Sequence, residues 1–146
     1  MVSFKWQEPT MVRIESNTYD HAVEQLQQSG TTQARMRVWD FINSQPSLFF
    51  VQCGSGSSVV PWIMFEGDEP MAMVFTSWER AKQAADSCIE QKHEIRVVGL
   101  PTNAASMYIN AIAAQGVPNV CFNHGPQRFD ATMDEVLIAV GSLTRH

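Results

Sequence analysis

Short apolar segments alternate with segments of helical spacing from Leu48 onwards, and this alternation constrains the fold more than any other feature. The sequence predicts strands at LFFVQC, VVPWIMF, MAMVF, IRVVGL and NVCFN, because each is apolar, rich in aromatic or β-branched residues and bounded by turn formers. Helical stripes separate the last three of these strands, which favours some parallel pairing. We therefore predict an α/β fold with a mixed sheet of about five strands and helices packed on it.

Two helices are predicted before the first strand. Apolar residues recur at i, i+3, i+4 and i+7 from Tyr19 to Leu26, and Gly30 can end that helix. The next segment offers Thr31 or Thr32 as an N-cap. The length of 146 residues fits one domain. We expect an N-terminal arm at 1–16 and a single domain at 17–146.

The stretch VFTSWERAKQAA changes from strand-type to helix-type residues in its middle. Thr76 and Glu79 have the spacing of a capping box, in which the threonine side chain accepts a first-turn amide. We therefore predict that Thr76 is the N-cap of a helix running to about Gln91, with Phe75 and Trp78 buried.

Three further local signals mark the ends of elements. Thr132 and Glu135 repeat the capping-box spacing before the last helical stripe. Gly116 is placed to end the preceding helix. Pro61 lacks an amide donor, so its strand is expected at a sheet edge or near the start of a strand.

Charge and composition exclude several classes of protein. The formal net charge is −5, and the basic residues are scattered, so we expect no nucleic-acid partner. No segment approaches the roughly 20 apolar residues of a membrane helix, and MVSFKWQEPT does not resemble a signal peptide. Three cysteines without an export signal predict reduced thiols and a cytoplasmic location.

The stretch VPWIMFEGDEPMAMVFTSWERAKQA resembles the N-terminal domain of the SseB-type, enhanced-serine-sensitivity family. INAIAAQGVPNVCFNHG is similar to that family's helix, glycine turn and strand. The resemblance extends from about Leu48 to Leu143, and it departs from the family at His124, where a proline is usual between Asn123 and Gly125. It implies an α/β domain and supplies no catalytic residues.

No residue pattern indicates catalysis, a metal or a cofactor. Cys121 and His124 form a C-x-x-H pair that Cys53 would have to complete, whereas a closed zinc site needs four ligands. The acidic turn EGDEP lacks the EF-hand spacing and is expected to face solvent. We therefore assign no catalytic residue, no metal ligand and no cofactor.

The leading functional hypothesis is a non-enzymatic protein-interaction or regulatory module, with self-association as one form of partnership. Exposed tryptophans supply binding energy at interfaces, and Trp62 and Trp6 are the two expected on the surface. The alternative is a small-ligand-binding protein or an enzyme that uses loops 53–58 and 123–128. The residues expected to bind the ligand in that case are Cys53, Ser55, Asn123, His124 and Arg128.

Overall fold

The computed structural model describes residues 18–90 and 94–144. The chain divides into two compact units between Ser44 and Gln45. In the first unit, helix α1 (residues 18–29) ends at Gly30, whose φ of 63° is left-handed and whose amide donates to the Leu26 carbonyl at 2.7 Å. Thr31 then caps α2 (Thr32–Ser44) through its hydroxyl. Both predicted N-terminal helices are therefore confirmed.

The second unit contains the strands and the remaining helices in the predicted alternation, which confirms the α/β class. Seven strands are present in the described residues, because the segment 60–66 is divided at Trp62 and FDAT forms a strand of its own. The elements are β1 (Ser47–Cys53), a 3-10 turn (Gly56–Ser58), β2 (Val60–Pro61), β3 (Ile63–Glu66), β4 (Glu69–Val74), α3 (Trp78–Cys88), β5 (Ile95–Pro101), α4 (Thr102–Ala114), β6 (Asn119–Phe122), β7 (Phe129–Thr132) and α5 (Met133–Thr144).

The strands form two sheets, in the orders β2-β1-β5 and β3-β4-β6-β7. The first is antiparallel, whereas the second is mixed, because β4 and β6 are parallel. Phe49 and Phe75 join the sheets through an antiparallel bridge with two backbone hydrogen bonds of 2.8 and 2.9 Å. The mixed sheet predicted from the sequence is thus built from two sheets that meet at one bridge.

Trp62 occupies the corner between the two sheets. β1 pairs antiparallel with β2, β4 pairs antiparallel with β3, and the bridge between the sheets is also antiparallel, so the chain must change direction between β2 and β3. The Trp62 amide donates to the Val51 carbonyl at 2.9 Å, and its ring stacks on Phe75 with centroids 6.3 Å apart. Pro61 lies in the edge strand β2, as predicted.

Helices cover both faces of the β1–β5 pair. Val51 belongs to a core cluster with the buried alanines of α3, whereas the adjacent Phe50 packs edge-on against Tyr108 of α4, with ring centroids 4.6 Å apart. Neighbouring residues of a strand point to opposite faces. α3 and α4 therefore lie on opposite sides of this sheet, while α5 contacts β6 and β7.

Candidate functional site

Thr76 and Asn123 are joined by a buried pair of hydrogen bonds. The Thr76 amide donates to Asn123 Oδ1, and Asn123 Nδ2 donates to Thr76 Oγ1, both at 2.9 Å. Thr76 is 8% exposed and Asn123 is 2% exposed. This pairing fastens the end of β4 to the end of β6, because the Asn123 amide also donates to the Val74 carbonyl at 2.9 Å. Asn123 therefore has a structural role, because both its side-chain oxygen and its side-chain nitrogen are hydrogen-bonded to Thr76.

The predicted N-cap at Thr76 is wrong, because the Thr76 side chain is occupied by Asn123. Ser77 is the N-cap of α3, and its hydroxyl accepts the Arg80 amide at 3.2 Å. The helix ends at Cys88, before the predicted Gln91. Phe75 is buried, as predicted.

Trp78 is a large apolar side chain on the surface. It begins α3 and is 47% exposed, so the prediction that it is buried is wrong. The face of α3 that enters the core consists of Ala81, Ala84 and Ala85. Helical spacing predicts Trp78 on that face, but Trp78 is the first residue of the helix and is half exposed there.

Trp78 lines a groove between α3 and β5, here called the α3–β5 groove. Its volume is about 550 Å³, and it is lined by Trp78, Lys82, Asp86, Ile89, Glu90, Ile95 and Val97. The floor is apolar, while the rim is charged. On the rim, Lys82 Nζ forms an ion pair with the Asp86 carboxylate at 2.6 Å.

β5 lies at the end of its sheet, and no strand pairs with its outer side in the part of the chain that the structure describes. The Gly54 amide donates to the Glu94 carbonyl, so the backbone of Glu94 faces β1. Val51 is aligned with Val97, but its carbonyl faces β2 and accepts from Trp62. Since antiparallel pairs alternate between bonded and non-bonded, every second residue of β5 turns its amide and carbonyl outward. These residues are Ile95, Val97 and Gly99.

Trp62, one of the two tryptophans predicted to bind a partner, does not line the α3–β5 groove. Trp62 is only 9% exposed, so its predicted place on the surface is wrong. The physical reason is the corner between the sheets, where its ring stacks on Phe75. Trp6 lies outside the described residues.

A second concave region, here called the His124 cavity, lies between α3 and loop 123–127. Its volume is about 420 Å³. It brings Asn123 and His124 together with Arg80 and Cys88 of α3. The remaining lining residues are Gln83, Ala84, Ser87, Gly125, Pro126 and Gln127. The sequence predicts Asn123 and His124 as ligand-binding residues but none of the α3 residues, because these lie about 35 to 45 positions away along the chain.

Cys53 and Ser55 lie away from that cavity. Cys53 lines a different depression with residues 59–63 and Gln115, and burial raises the pKa of its thiol. Ser55 is exposed, and its carbonyl accepts the Ser58 amide in the 3-10 turn. β1 runs antiparallel to β4 at their bridge, whereas β6 runs parallel to β4, so Cys53 and loop 123–128 follow strands of opposite direction. The structure does not bring the two predicted loops together.

Arg128 is engaged by carboxylates. Its guanidinium forms ion pairs with Glu66 at 2.8 Å and Asp130 at 3.0 Å, and it also reaches Met71 Sδ. Partial burial lowers the pKa of Arg128, but the hydrogen bonds to Glu66 and Asp130 outweigh it, so the pKa lies above its ordinary value. An anion at Arg128 would have to compete with these acidic neighbours.

The cysteine of the predicted C-x-x-H pair is deeply buried. Burial raises the pKa of Cys121 to about 12, so its thiol stays protonated at neutral pH. Within residues 18–90 and 94–144, no group of three or more histidine, cysteine, aspartate or glutamate side chains is arranged to hold a metal ion. Cys121 is therefore a core residue.

Neither a protein-family model nor a curated protein matches this chain. No helix among the described residues combines the length and apolar character that a membrane crossing requires. Function is therefore inferred from the residues that line the α3–β5 groove and the His124 cavity.

Proposed function

We propose that this protein is a non-enzymatic protein-interaction or regulatory module of the SseB-like type. The observation that carries the proposal is the exposed Trp78 in the α3–β5 groove, directly beside the open edge of β5. The resemblance of the segment from about Leu48 to Leu143 supports the SseB-like assignment. Trp78 replaces Trp62 as the aromatic anchor in this proposal.

The α3–β5 groove combines two features of peptide-binding surfaces. Backbone amides and carbonyls at a sheet edge bind an added strand, and neighbouring pockets accept its alternate side chains. The groove meets β5 at Ile95 and Val97, two of the residues whose backbone faces outward. An extended partner segment can therefore bond to β5 and place an apolar side chain against Trp78 at the same time.

Site-specific photo-crosslinking tests this proposal. A benzoylphenylalanine at position 90, on the groove rim, is compared with one at position 138, where Ile138 is 75% exposed on α5. We expect a protein adduct from position 90 and none from position 138. Adding Trp78→Ala should lower the adduct yield at least about tenfold, as expected for an aromatic hot spot. Equal yields from both positions, or no response to Trp78→Ala, would contradict the proposal.

The His124 cavity supports the second candidate function, a small-ligand-binding protein or enzyme. Its volume of about 420 Å³ falls within the range of ligand sites, and it brings His124 and Arg80 to one place. A thermal-shift screen with small carboxylates and phosphates tests it. Ligands that raise the melting temperature of the wild type but not of His124→Ala would favour this candidate, whereas no shift with any compound would exclude it.

The charge and the cysteines of the chain lead to a proposal for its location and partners. We expect a cytoplasmic protein with no nucleic-acid partner, because the net charge is −5 and Cys53, Cys88 and Cys121 are free thiols. Fractionation of cells that express the tagged chain checks the location. Recovery of the chain outside the cytoplasm would contradict this expectation.

A further inference from the structure

The outward backbone groups of β5 are complementary to those of a second, antiparallel copy of the same strand. Ile95, Val97 and Gly99 each present an amide and a carbonyl outward, with Val97 in the middle. An antiparallel copy of the strand centred on Val97 places Val97 opposite Val97 and Ile95 opposite Gly99. Each such pair can exchange two backbone hydrogen bonds, so all the outward donors of these residues find acceptors.

We propose that a second copy of this chain pairs with the outer edge of β5 in this register, which makes the antiparallel sheet continuous across a two-fold axis. The inference rests on the proposed interaction function and names the occupant of the β5 edge. Such an interface is isologous, because the same surface serves both copies.

Two neighbouring registers are less favourable. A shift centred on Arg96 sets two guanidinium groups directly opposite each other, and like charges in that position are destabilising. A shift centred on Val98 brings Pro101 into the ladder opposite Ile95, where proline has no amide to donate. In the register centred on Val97, Arg96 lies opposite Val98, and Pro101 falls beyond Ile95 of the second copy.

Side chains on the α3 face also fit this register. Gly99 has no side chain, and a Cβ built there would lie 2.7 Å from the Phe49 ring. The Phe49 ring therefore covers Gly99, and Ile95 of the second copy would pack against that ring. Val97 would pack beside its own copy, next to the apolar floor of both grooves.

The groove rims are complementary under the same two-fold symmetry. Each rim carries Lys82 together with the carboxylates Asp86 and Glu90. A two-fold axis perpendicular to the sheet keeps both copies of α3 on one face and sets them antiparallel. Lys82 of one copy can then approach the carboxylates of the other, in addition to its own partner Asp86.

Amide hydrogen exchange at rising protein concentration, together with sedimentation measurements of mass, tests the proposal. The amides of Arg96, Val98 and Leu100 face β1 and should exchange slowly at every concentration. The amides of Ile95, Val97 and Gly99 should exchange at least about tenfold more slowly once the mass shows a dimer. Unchanged exchange at these three residues in the dimer would overturn the proposal, and so would slow exchange in the monomer.

A matched pair of substitutions at one position adds an independent test. Val97→Pro removes the central outward amide, whereas Val97→Thr keeps the amide and the β-branched shape. We expect Val97→Thr to dimerise like the wild type and Val97→Pro to remain a monomer with a cooperative melting transition. If Val97→Pro does not fold, the exchange measurement on the wild type decides alone.

Failure of this inference is distinguishable from failure of the proposed function. A monomer at all concentrations whose groove still crosslinks to a different protein would overturn pairing with a second copy while leaving the interaction function in place. An adduct joining two copies of this chain, identified by mass spectrometry, would support both.

Discussion

Thr76 and Thr132 begin the same local pattern, a threonine followed three residues later by a glutamate, yet they have different roles in the structure. Thr132 is an N-cap, since its hydroxyl accepts the Glu135 amide at 3.2 Å. The hydroxyl of Thr76 instead accepts from Asn123, and Ser77 caps the helix one residue later. A capping pattern is therefore a local preference, which a buried long-range partner can override.

Trp78, the first residue of α3, lies on the surface. The buried face of α3 consists of three small alanines, and Trp78 is left beside the β5 edge. The Thr76–Asn123 pair holds the end of β4, and the helix that carries the proposed anchor begins two residues after Thr76.

Removing the amide of Asn123 should have the largest effect on stability. Asn123→Ala leaves the Thr76 amide without its acceptor, and alanine disfavours the left-handed φ of 53° at this position. We expect a loss of about 2–4 kcal/mol in the free energy of unfolding, measured by denaturant titration. Asn123→Gly is the matched control, because it removes the amide but tolerates the backbone conformation. Equal losses would show that backbone strain is negligible here.

Substituting valine at the two threonines compares the two patterns directly. Thr76→Val leaves the buried Asn123 Nδ2 without an acceptor and should cost about 1–3 kcal/mol. Thr132→Val removes an exposed cap and should cost about 1 kcal/mol, because water reaches the freed amide. Denaturant titration of both variants checks the order. A larger loss of unfolding free energy for Thr132→Val would contradict the conclusion that the buried Thr76 hydrogen bond contributes more than the exposed Thr132 cap.

Ser77→Ala should destabilise the protein to a similar extent as the loss of an ordinary cap. The Ser77 hydroxyl accepts the Arg80 amide, so its removal should cost about 1 kcal/mol of unfolding free energy. Thermal melting in parallel with Thr132→Val provides the comparison. An unchanged melting temperature would mean that Ser77 contributes nothing as a cap.

Trp78→Ala should have the smallest effect on stability, below about 1 kcal/mol, because the side chain is 47% exposed. Its effect should appear in binding, as loss of the adduct from position 90. A large drop in melting temperature would instead identify Trp78 as a core residue.

Much of the fold is predictable from local sequence. The alternation after Leu48, the two N-terminal helices and the helix end at Gly116 all follow from periodicity and glycine chemistry, and the structure confirms them. Pro61 also marks its edge strand correctly. These signals depend on residues near one another in the chain.

The site was less predictable, because its residues come from distant parts of the sequence. Trp62 was expected on the surface, but the meeting of two sheets buries it against Phe75. One residue in the sequence indicates that β5 is an edge strand: Pro101, the last residue of the strand, has no amide to donate to a neighbouring strand. His124 was recognised, whereas its neighbours Arg80 and Cys88 were not.

The sequence by itself determined most of the strands and helices, because periodicity and capping preferences act over a few residues, but it did not predict β7 or the division between β2 and β3. Only the tertiary structure decided that Asn123 donates to the Thr76 hydroxyl, that Ser77 caps α3 and that Trp78 lines a groove beside an open strand. The physical reason is that a buried hydrogen bond between residues far apart in sequence outweighs an exposed local cap, since an unpaired polar group in the interior is the costlier alternative.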